Sequence, residues 1–115
     1  MAIRIVKAAI SKAELGAIAE GQFGDFVKAV VDIEKEIMAI GGELHADEEA
    51  LLLEHGSRQK NLWGINLYQA KGGDDFIEFD SMINVRPSQR NYSRDVEDSQ
   101  IQQKIRDLVA KLVTR

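Results

Sequence analysis

The chain has 115 residues, 44% of them hydrophobic and 30% charged, with a formal net charge of -4, the size and makeup of a soluble domain that buries a single core. It contains no cysteine, which excludes disulfides, thiol nucleophiles and thiolate zinc sites. The acidic balance is a poor match to nucleic-acid binding, which needs a basic stripe to neutralise phosphates.

Charge is unevenly placed. Arg4, Lys7 and Lys12 stand without an acid in residues 1–12, residues 13–56 hold eleven acids against Lys28 and Lys35, and residues 84–96 carry Arg86, Arg90 and Arg94 against Asp95. Either the basic segments fold onto the acidic middle, or they form a separate anion-attracting face. The opening MAIRIVKAAISK has no apolar run of signal-peptide length, and no later run is long enough to span a bilayer, so a cytoplasmic location is expected. No repeat or linker composition interrupts the chain, which reads as one domain over residues 1–115.

In chain order, Ser11-Lys12-Ala13-Glu14 is a capping-box pattern and predicts a helix from about Lys12 to Gly21. Residues 26–42, FVKAVVDIEKEIMAIGG, admit two readings. Phe26, Val30, Ile33, Ile37 and Ile40 fit a helical stripe, whereas the β-branched run Val27, Val30, Val31 and Ile33 fits a hairpin turning around Glu34-Lys35. The β-branched density favours the hairpin, with Lys28 and Asp32 on one side and Val27, Ala29, Val31 and Ile33 on the other. HADEEALLLEHG predicts a short helix capped near Asp47 and stopped by Gly56.

NLWGINLY (61–68) and FIEFDSMINVR (76–86) read as a long hairpin around Gly72-Gly73. Alternation puts Trp63, Ile65 and Leu67 in the core, and places Asn66, Glu78, Asp80, Asn84 and Arg86 on a polar face. Ile101, Ile105, Leu108 and Leu112 predict a C-terminal helix capped at Asp98 or Ser99. The expected fold is α+β, a mainly antiparallel sheet of about four strands with an N-terminal, a short middle and a C-terminal helix, the helices covering one face.

Three places could carry chemistry. His45 and Asp47 would share a face on a strand and could hold a metal with Asp80, although a helix start there would leave His45 an ordinary polar residue. Glu78 and Asp80 form a carboxylate pair on one strand face, which also describes an ordinary solvated strand. NVRPSQRNYSR (84–94) brings three arginines to the start of a helix, where their charge needs either the acids Asp95, Glu97 and Asp98 or a bound anion. No phosphate-binding glycine loop or nucleophile elbow is present.

GGELHADEEALLLEHGS, NLWGINLY and FIEFDSMINVRPSQRNYSR together resemble an uncharacterised family of small prokaryotic proteins, a domain of unknown function, over about residues 25–113. The resemblance implies no activity, since no catalytic or binding residue is established for the family, and it leaves the cofactor unknown. It implies a glycine at the place of Glu36, which again favours the hairpin. It also implies a loop reading Ser-Gln-Gly-Asn-Arg-Ser, with glycine at the place of Arg90 and arginine at that of Tyr92. Arg90 is then the weakest ligand candidate, and Arg86, Ser88, Asn91 and Arg94 stand ahead of it, with Asn84 and Asn66 on the adjoining face.

The leading functional expectation is a cytoplasmic binding or regulatory module, an oligomer such as a homodimer, that recognises an anionic ligand or partner through this loop and the polar sheet face. The alternatives are a metal-dependent hydrolase using His45, Asp47, Glu78 and Asp80, and a structural protein-interaction module.

Overall fold

A computed structural model describes residues 2–115. Its centre is a five-stranded antiparallel sheet in the order β1-β4-β3-β5-β6, built from β1 (Arg4–Val6), β3 (Val27–Asp32), β4 (Ile37–Ile40), β5 (Leu62–Leu67) and β6 (Ile77–Glu78). The helices are α1 (Lys12–Glu20), α2 (His45–Glu54) and α3 (Ser99–Leu112), and a short parallel pair, β2 (Ile10–Ser11) and β7 (Val113–Thr114), joins the start of α1 to the end of α3.

The capping box forms as the sequence predicts: Ser11 Oγ accepts from the Glu14 amide at 3.1 Å, and the Glu14 carboxylate accepts from the Ser11 amide at 3.2 Å. Asp98 caps α3 through the Gln100 amide at 2.8 Å. At residues 26–42 the hairpin prevails over the helix, because Asp32 diverts the backbone. One of its carboxylate oxygens accepts from the amides of Glu34 and Lys35, and the other accepts from the Ser57 hydroxyl at 2.6 Å. These side-chain bonds compete with a helical ladder and fix a turn instead.

Two expectations are corrected. The helices do not share one face: α1 and α3 pack with Val27, Ala29, Val31, Trp63, Ile65 and Leu67, while α2 lays Leu52 on Val30, Ala39 and Leu62 of the opposite face. β3 carries apolar residues on both faces, and such a strand needs cover on both. The predicted strand over 76–86 ends after Glu78, and Met82–Asn84 and Pro87–Gln89 are 3-10 turns. Beyond Glu78 the alternation breaks, with Asn84 and Arg86 buried and Met82 and Val85 exposed.

The positive-φ residues that are not glycine are Glu36 (56°) and Arg90 (58°). These are the two places where the resemblance implies glycine. A side chain there costs on the order of 1 kcal/mol. Glu36 offsets part of that cost by pairing with Lys111 of α3 at 2.6 Å, whereas Arg90 is exposed and has no ion pair among the described residues. Arg90→Gly should therefore stabilise the protein by up to about 1 kcal/mol, read as a higher urea midpoint. Glu36→Gly should gain less, because it also removes the ion pair; equal gains would contradict this assignment.

Candidate functional site

On the α2 side of the sheet, two rows of side chains lie beyond the helix. Lys28, Asn66 and Glu78 are register neighbours across β3, β5 and β6, and Phe26 and Tyr68 form the adjoining row, with ring centroids 5.3 Å apart. Asn66 donates to the Glu78 carboxylate at 2.8 Å, and the Tyr68 hydroxyl donates to the same oxygen at 3.3 Å. Phe23 stacks on Phe26 at 4.9 Å, and Lys28 Nζ lies 5.1 Å from the Phe23 ring. Arg94 pairs with Asp80 at 2.6 Å, and the Asp80 carbonyl accepts from Asn66 at 3.3 Å.

The first turns of α2 close one side of this patch. Because the helix begins at His45, with Leu44 at the cap position and no side-chain cap, Asp47 is not the cap that the sequence suggests. Residues two apart on a helix point in different directions, so the His45–Asp47 pair expected for a strand does not form: His45 is buried and Asp47 exposed. His45 Nε2 donates to the Ile65 carbonyl at 2.8 Å. Burial first, and then the charge of Lys28, hold its pKa below the ordinary value, opposed by the Ile65 carbonyl, Asp80 and Asn66. Among the described residues, no three His, Cys, Asp or Glu side chains gather closely enough to hold a metal ion.

Glu48, one helical turn on from His45, is fully buried. Its carboxyl accepts from the Gly42 amide at 3.0 Å, and its other oxygen has no partner. Desolvation pushes its pKa up to about 9, against the lowering effects of the Gly42 bond and Lys28, so it is protonated near neutral pH. His45, Glu48 and Leu52 form one buried stripe at three- and four-residue spacing. That spacing was visible in the sequence, but two polar residues on the stripe hid it.

The arginine loop is bonded to itself and to the backbone of residues 59–64. Arg86 is buried and donates from Nε to the Ile83 carbonyl at 3.1 Å, from Nη1 to the Gln59 carbonyl and the Gln89 amide oxygen, and from Nη2 to the Leu62 carbonyl. Its guanidinium lies 4.3 Å from the Trp63 ring. Burial lowers its pKa and the charge of Glu49 opposes that. The charge thus sits among carbonyl dipoles and an aromatic face rather than on Asp95, Glu97 or Asp98. Asn91 donates to the carbonyls of Asn84, Ser93 and Asp95 and accepts from the Glu97 amide. Glu97 in turn receives the amides of Tyr92 and Ser93.

Asn84 accepts from the Gly64 amide at 2.8 Å and donates to the carbonyls of Gly64 and Arg94 at 2.9 and 3.0 Å. Asn84, Arg86 and Asn91 therefore hold the loop shape, while Ser88 and Arg94 are exposed and Asn66 belongs to the sheet patch. The patch residues that sequence reasoning did not single out as candidate sites are Lys28, Glu48, Tyr68 and the Phe23–Phe26 stack.

These features define an α+β protein with one antiparallel sheet covered on both faces, a polar patch beside the middle helix and an internally bonded arginine loop. The chain belongs to a family described as protein of unknown function (DUF5674), which matches residues 4–112, further toward the N-terminus than the quoted motifs reach. No curated protein and no solved structure matches it.

Two outcomes follow from this geometry. Asn84→Ala leaves both backbone groups of Gly64 without their partner, and should cost about 2–4 kcal/mol in denaturant unfolding. Asn84→Asp should be at least as damaging, because a carboxylate cannot donate to the two carbonyls. For Glu48, the folded state keeps a proton that the unfolded chain releases above its ordinary pKa of 4.5. Its contribution is therefore complete below that value and is lost as pH rises toward about 9, at roughly 1.4 kcal/mol per pH unit. Urea unfolding from pH 6 to 9 should show a steep decline in the native protein and a shallower one in Glu48→Gln; identical slopes would overturn the assignment.

Proposed function

We propose that this protein is a small cytoplasmic anion-binding module whose polar sheet face recognises a carboxylate- or phosphate-bearing ligand or partner. Lys28 makes the first contact with the anion. Asn66 can only accept from a hydroxyl or amide of the ligand, because its own N–H groups go to Glu78 and the Asp80 carbonyl. Arg94 and Ser88 lie at exposed positions of the adjoining loop. Arg86, Asn84 and Asn91 contribute by fixing that loop rather than by touching the ligand.

The observation that carries the reading is the isolation of Lys28. No carboxylate lies within ion-pairing distance of it among the described residues, although Arg94 on the same patch is paired with Asp80. Glu48, on which the Lys28 charge acts, is held protonated near neutral pH by burial, and burial and Lys28 together lower the pKa of His45. The positive charge of Lys28 is therefore left for an external partner. Asn66 Oδ1, buried and without a hydrogen-bond partner, adds a polar atom that a ligand hydroxyl or amide could satisfy. The Phe23–Phe26–Tyr68 row gives the same ligand an apolar shelf.

Thermal unfolding in the presence of inorganic phosphate, ATP, succinate and citrate tests this reading. At about 100 times its Kd a true ligand raises Tm by several degrees. The shift should vanish in Lys28→Ala and fall in Asn66→Ala. Failure of every anion to raise Tm, or a full shift retained by Lys28→Ala, would remove the proposal.

A further inference from the structure

A second concavity lies away from the polar patch, on the α3 side of the molecule. It is a cleft of about 410 Å³ between the start of α1, the Gly72–Asp74 turn, β6 and one face of α3. Its floor is apolar, made of Phe76, Ile77, Val109, Ala110 and Val113, and its rim carries three cations, Lys12, Arg106 and Arg115, against the single acid Asp74. α3 contributes Arg106, Val109 and Ala110 to this wall, and Val113 of β7 continues it; Val109 is also part of the core with Ile105, Leu108 and Leu112, so only its outer edge meets the cleft.

From this lining we infer a second ligand site, distinct from the anion patch, for a small amphipathic monoanion: a carboxylate joined to a flat or short apolar body. Small-molecule sites are concave, largely apolar and fitted with a few convergent polar groups, and the volume falls within their usual range. The apolar body lies on Phe76, Ile77 and Val109. The carboxylate reaches the Arg106 fork, whose two parallel N–H groups suit it, with Lys12 as a second cation.

The cations are weakly committed elsewhere. Arg106 lies 5.1 Å from the Phe79 ring, which orients its guanidinium, and pairs with Asp74 at 3.6 Å; the Asp74 side chain is 99% exposed, so a ligand carboxylate can take its place at little cost. Lys12 Nζ lies 4.8 Å from the Phe76 ring and has no ion pair among the described residues. The turn also leaves space, since a Cβ built at Gly72 or Gly73 would meet no atom within 4 Å.

Titration of the 15N-labelled protein with 3-phenylpropionate, the neutral 3-phenylpropanol and inorganic phosphate decides the matter. The acid should shift amide signals in residues 72–77 and 106–115, and the alcohol should bind at least about tenfold more weakly, the loss expected for a charge-assisted contact. Phosphate should leave those signals in place, because it has no apolar body. Arg106→Gln and Lys12→Gln should each weaken the acid, and Ala110→Trp, at an exposed helix position facing the cleft, should abolish its binding while leaving the core signals unchanged.

Equal affinity for acid and alcohol overturns the inference, as does unchanged binding in Ala110→Trp or absence of any shift in the cleft. Shifts confined to residues 26–28, 66 and 78 also overturn it, and would instead support the anion patch around Lys28.

Discussion

The outer side of Gly64 has no strand neighbour, and the rest of the loop architecture follows from how that vacancy is filled. β5 pairs with β3 along its whole length but with β6 only at Asn66 and Leu67. At Gly64 the primary amide of Asn84 supplies both halves of a ladder rung, accepting the N–H and donating to the C=O. A side-chain amide has the donor and acceptor of a peptide group, so it can substitute for a strand without continuing one. The approach demands glycine, since a Cβ at position 64 would stand 2.5 Å from Ser81 Cβ and Oγ. Asn84 also binds the Arg94 carbonyl, and its own carbonyl accepts from Asn91. One substitute rung thereby anchors residues 81 to 94.

Local signals and the observed fold agree where each residue's role is set by neighbours in sequence. The Ser11–Glu14 box, the Asp98 cap and the spacing of Ile101, Ile105, Leu108 and Leu112 each define a helix through contacts within one or two turns. They disagree where a distant group decides. Ile77, Phe79, Ser81, Ile83 and Val85 alternate as a strand would, yet the bonds of Asn84 to Gly64 lie twenty residues apart in the chain and override the pattern. β1 and β7 are three and two residues long, too short to show any periodicity.

The candidate site was legible only in part for the same reason. Asn66 and Glu78 are neighbours because β5 and β6 pair, as the hairpin reading requires. Arg86 attracted attention as a cation next to a proline, but its environment of carbonyls from residues 59, 62 and 83 exists only in the folded chain. Lys28 has no motif around it. Its setting depends on residues distant in sequence, since burial raises the pKa of Glu48 against the charge of Lys28. The charge division along the sequence was a better guide to packing: Lys111 meets Glu36, and Arg4 meets Glu14, which brings the basic ends onto the acidic middle.

The brevity of the outer strands has a consequence for how this protein can associate. β1 offers three residues and β6 two, and where β6 stops short the edge of β5 at Gly64 is closed by the substitute amide of Asn84. An exposed row of peptide groups is the usual template on which a second chain adds itself, and short or blocked borders deny it a register to copy. Borders this short disfavour continuation of the sheet from one copy to the next, and with it fibrous growth through the native fold, and they favour side-chain surfaces for any self-association.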